Sequence, residues 1–396
     1  MEVDGNIPRG RSPYRLLMWG IVFLLAVHAL YKIPTGAWLI WSEDRDWDLQ
    51  ARSREYALFR AGWYPFAPLD PVPSGVRAEY TVYPPYAFPM MAPLFEPGGL
   101  AQARVAITAL SLASLAFLAA CAARTLRPYG WEVAAVGAVA AFTISGNKAA
   151  FLLGQFSILC TALVFLQMIL LGRGRPYAAG ACWALAMLKP HVALAFAPLF
   201  LLGRGRIRGL LVGLALLGAL SWFACAWTGV GVTAMLQVWL HEMDFSFSGR
   251  GVRISPGPLA TSLGIDHRLL LGAVFGSGLA GVVAAAVWLR RLGPDAMLPL
   301  AGLCSVVGML GVYHWMYDQI MLFPAVLATL ALAGASRRPF AIAVAAAMLC
   351  SLLPPMRYVE KKVLPESILA AIWVLAAIYP LVSLWMDARR TRAVPA

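Results

Sequence analysis

The chain has 396 residues, 61% of them apolar and 13% charged, with a formal net charge of +13. Soluble globular chains carry about a quarter charged residues, so most of this one cannot face water and it reads as an all-α integral membrane protein. No polar linker or low-complexity tract divides it, which gives a single polytopic domain over 1–396. The six cysteines (Cys121, Cys160, Cys182, Cys225, Cys304 and Cys350) lie within apolar runs without a CxxC pair, the pattern of packing residues.

A membrane-crossing helix needs about 20 predominantly apolar residues. The first such run, 14–33, follows the basic stretch "RGRSPYR" and is read as a retained anchor. Although "VHA" loosely resembles a cleavage site, removing the run would upset the alternation of basic turns described below.

Residues 34–100 then form a large loop carrying eight acids, four of them crowded into "WSEDRDWDLQ": Glu43, Asp44, Asp46 and Asp48. Three readings stand side by side. Carboxylates favour a helix N-terminus through capping and the dipole. Paired Asp-x-Asp patterns suit Mg²⁺ or Mn²⁺. One well-placed carboxylate at the membrane surface would serve as a general base.

The acids lead into "DLQARSREYALFRAGWYP", where Leu49, Tyr56, Phe59 and Trp63 are spaced to share one helical face. That predicts an amphipathic helix lying along the membrane surface. In "TVYPPYAFPMMAPLF", prolines hold an extended entry turn, and Tyr83 and its neighbours suit the interfacial aromatic belt.

Further spans are expected at 101–123, 131–147, 150–171, 209–228, 268–289, 296–313, 319–335, 339–355 and 366–386, making about ten crossings in all. "GNKAAFLLGQFS" places Asn147, Lys148 and Gln155 at the outer end of a helical pair, where polar groups need a ligand, water or each other. Segment 177–202 is broken by "LKPH", because Pro190 cannot donate a helical hydrogen bond. It reads as a broken hairpin with Lys189 at its tip, either a functional cation or a cap on the first half-helix.

In "YHWMYDQIMLFP", His314 and Asp318 stand four residues apart, as an acid/base or binding pair or as a satisfied interfacial pair. Loop 229–267 supplies Arg250 and Arg253, and 356–362 supplies Arg357 and Lys361. These are phosphate ligands in one reading and solvated loop charge in the other.

Orientation follows from basic turns at Arg124/Arg127, Arg173/Arg175, Arg204/Arg206/Arg208, Arg290/Arg291, Arg337/Arg338 and Arg389/Arg390/Arg392. If these face the cytoplasm with both termini, and 177–202 enters and leaves on the same side, every crossing alternates, and loops 34–100, 229–267, 314–318 and 356–365 gather on the outer face. That cytoplasmic set holds 17 of the 32 basic residues but 5 of the 19 acids, so the net charge is a signature of topology. No basic stripe interleaved with aromatics lies outside these turns, which argues against a nucleic-acid partner.

Together these features call for a substrate with a lipid body, a negative head and a hydroxyl partner. At this point the chain resembles glycosyltransferase family 87, bacterial membrane enzymes of the GT-C architecture that use polyprenyl-phosphate sugars. The resemblance rests on "DLQARSREYALFRAGWYP", with Gly62 fourteen residues after Asp48, on "YPPYAFPMMAPLF", on the stretch from "GQFSILC" through "ALAMLKPHVALAFAPLFLL", and on "YDQIMLFPAVLA". It departs from the family's pattern at Ala51 and Arg52.

The resemblance implies that Asp48 is the catalytic base; Asp46, Tyr83, Lys148, Gln155, Lys189, His314, Asp318, Arg250, Arg253, Arg357 and Lys361 stand beside it as candidate substrate contacts. It implies a mannose-type donor by default, a glycan or glycolipid acceptor, inversion, and a periplasmic site in the bacterial inner membrane. Because the leaving phosphate is already ionised, fixed cations can stabilise it, and no obligatory divalent ion is expected. A polymerase or ligase using a lipid-diphosphate donor would instead want an Arg-rich late external loop. A transporter or flippase would want paired broken helices and midplane acids.

Overall fold

The computed structural model describes residues 13–41, 47–65, 83–203, 205–237, 239, 267–311, 314–353 and 363–393. Among them every regular element is helical. An apolar environment offers no water to backbone N–H and C=O groups, so the chain must satisfy them within its own segments.

Helix α1 spans Pro13–Leu39 and carries Leu17, Phe23, Leu24 and Leu30 on its outer side, each more than 60% exposed. Large apolar side chains turned outward in this way fit a lipid-facing surface. Helices α2 (Trp47–Arg60), α3 (Ala87–Phe95), α4 (Gly99–Leu126), α5 (Trp131–Thr143), α6 (Gly146–Leu153) and α7 (Ser157–Gly172) follow. After them come α8 (Pro176–Ala186), α9 (Pro190–Ala193) and α10 (Ile207–Thr228), and then helices at His267–Leu289, Met297–Gly311, Phe323–Ser336, Pro339–Ser351 and Val363–Ala393.

Each of the ten expected apolar runs contains helix, but among the described residues only six helices are long and apolar enough to cross a membrane. They are Arg15–Leu39, Gly99–Tyr129, Ile207–Thr228, Gly272–Gly293, Tyr317–Ser336 and Ser367–Arg389. The pair α5–α6, bent by 41°, makes a seventh if counted as one span. Shorter apolar helices occupy Ser157–Gly172, Met297–Gly311 and Pro339–Ser351. Two of the expected runs are irregular beside polar residues: 150–171 is interrupted by the turn that carries Gln155, and 319–335 begins as a 3₁₀ stretch beside Asp318.

The expected break in 177–202 is present. Helix α8 ends at Ala186, and α9 restarts at Pro190 and tightens into a 3₁₀ stretch over Leu194–Leu201. Pro190 takes the first helical position, where its missing N–H has no helical partner to lose. The 3₁₀ stretch contains Pro198, and behind it α8 packs on α10 through Gly180 and Gly209. A Cβ on Gly180 would fall 1.9 Å from the Gly209 carbonyl oxygen, so only small residues permit this approach.

The surface helix is corrected in two respects. Leu49, Tyr56 and Phe59 of α2 are buried, as their spacing requires, but Trp63 lies past the helix end and is 47% exposed. Gly62 at φ +82° ends α2, with the Gly62 N–H on the Phe59 carbonyl and the Trp63 N–H on the Leu58 carbonyl, both at 3.0 Å. The apolar face also meets protein: Tyr56 stacks on Phe95 and Phe59 on Phe88, both from α3. Two polar contacts fix the same helix, Tyr56 Oη donating to Glu96 (2.7 Å) and Trp227 Nε1 donating to the Phe59 carbonyl (2.8 Å).

A second glycine turn sets where α2 docks. Gly154, at φ +66°, ends α6, with its N–H on the Phe151 carbonyl (3.1 Å) and the Gln155 N–H on the Ala150 carbonyl (2.8 Å). A Cβ at Gly154 would lie 2.8 Å from the Leu49 Cβ. The Gly154→Ala variant therefore meets a left-handed backbone penalty of about 1–2 kcal/mol as well as a clash with α2. A thermal melt of the purified variant should show a lower midpoint than wild type, and an unchanged midpoint would refute the packing role of this turn.

Candidate active site

Three interruptions of regular helix converge on one buried polar cluster. The first is the Gly154–Phe156 turn between α6 and α7, which presents Gln155 and then Ser157 at the first turn of α7. The second is the break before Pro190, which presents Lys189 and His191. In the third, an extended residue at Trp315 leads into a 3₁₀ stretch over Met316–Leu322, which presents Asp318. Gln155, Ser157, Lys189, His314 and Asp318 are all buried.

Lys189 is the hub. Its ammonium donates to Gln155 Oε1 (2.7 Å), Ser157 Oγ (2.8 Å) and Asp318 Oδ1 (2.9 Å), and stands 4.5 Å from the centre of the Tyr317 ring. An ammonium has three N–H donors, so this arrangement uses all of them. The ammonium is therefore committed to this cluster and does not cap α8, whose Ala186 carbonyl accepts instead from the Lys189 backbone N–H (3.1 Å). The Lys189 carbonyl accepts from the Val192 and Ala193 N–H groups (3.0 and 3.2 Å), which starts α9.

Asp318 divides its oxygens between two sets of partners. Oδ1 accepts from Lys189 and from Ser157 Oγ, the latter at 2.5 Å. Oδ2 faces His314 Nδ1 and His191 Nε2, each at 3.3 Å, and the Trp315 backbone N–H, also at 3.3 Å. The His314–Asp318 contact read from their spacing is therefore present, though not as two residues on one α-helical face. His314 precedes the 3₁₀ stretch, and Asp318 folds back over its start. His314 Nε2 lies 2.9 Å from the Gly308 carbonyl.

At the other end of the network, Gln155 Nε2 donates to Asp48 Oδ2 at 2.5 Å. Asp48 lies in the first turn of α2, outside the candidate spans, and is partly buried. Its carboxylate is thus joined to a side chain of a different element, which a capping role alone would not require. Burial raises its proton affinity above the ordinary carboxylate value, opposed by the Arg52 guanidinium, the Gln155 hydrogen bond and Lys189. Asp318 contributes a further upward push.

Arg52, one turn along α2 from Asp48, is buried, pairs with Glu55 at 2.6 Å and stands over the Tyr83 ring at 4.6 Å. Tyr83 is itself buried and meets Phe156 edge-on. Tyr83 thus touches the wall of the site beside Arg52. Lys148 is placed differently: it is partly buried on α6 and approaches the Tyr31 ring of α1 at 5.7 Å. Among the described residues no hydrogen bond joins Lys148 to the network. Asp46, Arg250, Arg253, Arg357 and Lys361, together with Glu43 and Asp44, lie outside the described residues.

Sequence reasoning missed Ser157, His191, Arg52 and Glu55. His191 follows Lys189 inside the quoted "LKPH", and Ser157 follows Gln155 in "GQFS", so proximity to a helix break was the available signal. Arg52 and Glu55 sit three apart on α2, a spacing that pairs opposite charges on one helical face.

A helical membrane protein whose buried ion-paired network ends on a carboxylate outside the spans has the makings of a membrane enzyme. Residues 80–313, more than half the chain, match the model of glycosyltransferase family 87, so the chain belongs to that family and is a glycosyltransferase. The matched region includes Tyr83, Lys148, Gln155, Ser157, Lys189 and His191; Asp48, His314 and Asp318 fall outside it. Comparison with curated proteins and with solved structures returned no match.

Removing the hub tests the network. Breaking a buried ion pair by deleting one partner costs about 3–5 kcal/mol, because the other charge is stranded. Lys189→Met should therefore lower the unfolding midpoint sharply, while the double variant Lys189→Met/Asp318→Asn recovers part of the loss. Equal midpoints for wild type and Lys189→Met would show that the pair does not hold the three breaks together.

Proposed function

We propose that this glycosyltransferase moves a sugar, mannose-type by default, from a polyprenyl-phosphate donor to a hydroxyl of a glycan or glycolipid acceptor, with inversion. The reaction is placed on the periplasmic face of a bacterial inner membrane, within one GT-C-type transmembrane domain whose termini are cytoplasmic. Loop 34–100 then supplies the external part of the site through α2.

The observation that carries this reading is the position of Asp48. Its carboxylate sits outside the candidate spans, is partly buried, and is bonded across to Gln155 on another element. A general base must be oriented and must have a proton affinity near its task. Gln155 supplies the orientation, and burial supplies the raised affinity.

In the proposed step the acceptor hydroxyl attacks the anomeric carbon from the face opposite the phosphate, and Asp48 takes its proton as the bond forms. The donor's phosphate leaves with the electron pair of the broken glycosidic bond. Fixed cations favour that charge where it develops. Lys189 is committed to Gln155, Ser157 and Asp318, which makes it a positioning group in this scheme. The direct phosphate contacts are then assigned to Arg250, Arg253, Arg357 or Lys361.

Asp48→Asn should reduce transfer from a polyprenyl-phosphate mannose by about 10²–10⁴-fold, the usual share of general-base catalysis, while the variant still folds. Turnover near wild type would remove the assignment. The acid limb of the kcat/KM profile should lie above the ordinary carboxylate range, since burial raises the Asp48 pKa and the ionised form is the active one. For stability the sign is opposite: a raised folded pKa contributes stability below the unfolded value, and this is lost as pH rises through the folded value.

A further inference from the structure

His191, His314 and Asp318 each offer one ligand atom, and these atoms lie within 4.8 Å of one another. The hydrogen-bond pattern around His314 says more than the spacing does. A backbone carbonyl can only accept, so the contact between His314 Nε2 and the Gly308 oxygen at 2.9 Å places the ring hydrogen on Nε2. In a neutral imidazole, Nδ1 then presents a lone pair, and it presents it to a carboxylate oxygen 3.3 Å away. Two lone pairs facing each other in a buried site repel unless something positive lies between them.

His191 sharpens the choice of what that is. Its Nε2 converges on the same Asp318 oxygen, also at 3.3 Å, and the two imidazole rings meet at 67° with centroids 5.0 Å apart. A proton on His314 would satisfy one of these contacts. A single divalent ion would satisfy all three atoms. Tetrahedral N and O ligands held about 2.0–2.1 Å from zinc lie about 3.3–3.4 Å from one another, which is the separation seen on both sides of Asp318 Oδ2.

The surroundings agree with that assignment. A metal-bound imidazole commonly donates its other N–H to a backbone carbonyl, fixing the tautomer, as His314 does with Gly308. A ligating carboxylate is itself usually hydrogen-bonded, and Asp318 Oδ1 is held by Ser157 and Lys189 while Oδ2 is left to the imidazoles and one backbone N–H. His191 is the partly exposed member of the three, with 22% side-chain exposure.

We propose that His191 Nε2, His314 Nδ1 and Asp318 Oδ2 form a three-ligand site for a divalent transition metal of the zinc class. Three protein ligands leave a fourth position for water or an anionic oxygen. The site departs from the sequence expectation of a centre with no obligatory ion, and it stands apart from the identity of the sugar donor.

The test uses the full-length protein in detergent, freed of any tag, stripped with a chelator and titrated with Co²⁺ as a spectroscopic probe. One Co²⁺ per chain is expected, with visible ligand-field absorption and a raised unfolding midpoint. His191→Ala should weaken binding at least about tenfold, the lower end for disturbed metal sites, and should melt like metal-free wild type. His191 is the residue to change, because it is the exposed ligand, whereas loss of the fully buried His314 risks the fold.

Absence of Co²⁺ uptake by wild type, or uptake indifferent to His191→Ala, would overturn the site. Asp48→Asn serves as the control that separates the two proposals. It should bind Co²⁺ like wild type whatever it does to transfer.

Discussion

A buried ammonium tolerates little variation in its surroundings, and Lys189 is the group around which this site is organised. Away from water each of its N–H bonds must find an acceptor, and those acceptors come from the α6–α7 turn, the start of α7 and the 3₁₀ stretch before Phe323. Desolvation makes such a pair a poor source of net stability. What it provides is register: if any one of the three segments slides by a residue, a charge or a donor is left without its partner. A hydrophobic contact would tolerate that slip.

The same constraint explains why the irregular backbone is gathered in one place. Non-helical chain at membrane depth is tolerated only where it is buried in protein or lines a polar cavity. The breaks at Gly154, before Pro190 and at Trp315 each bury their freed backbone groups in local bonds: Gln155 N–H on Ala150, Val192 N–H on Lys189, and Asp318 N–H on Trp315. A fourth irregularity, between α5 and α6, is tied in separately by the Ser145 N–H on the Leu352 carbonyl and by Lys32 Nζ on Ser145 Oγ. Each interruption thus closes its own backbone groups, and the first three also supply the side chains that meet around Lys189.

Composition was enough to read the class of the protein, and local chemistry was enough to find the breaks. Pro190 has one physical consequence in a helix whatever surrounds it, so the interruption of 177–202 was legible, as was the common face of Leu49, Tyr56 and Phe59, though not the protein partner that covers it. The number of full-length spans was not, because a hydropathy run does not register a left-handed glycine turn: 131–171 reads as two spans and folds as a bent pair, a turn and a shorter helix. The partners of Lys189 were equally hidden. Asp318 lies 129 positions away, and only tertiary packing decides that these two charges meet. Asp48 was singled out by its crowded neighbours and by resemblance, yet its link to Gln155, 107 positions on, came from the fold.

The placement of Asp48 depends on a helix that is not one of the candidate spans. A 14-residue helix is marginal on its own in water, so the order of α2 derives from its packing on α3, from the Trp227 bond to Phe59, and from the close fit of Leu49 against Gly154. Leu49 and Asp48 are adjacent in sequence, and the turn that receives the first also presents Gln155 to the second. One apolar contact and one polar contact therefore fix the same carboxylate from two directions. This is how a group on a segment outside the candidate spans is held against a buried network, and it makes the fit at Gly154 as much a determinant of the site as any charge within it.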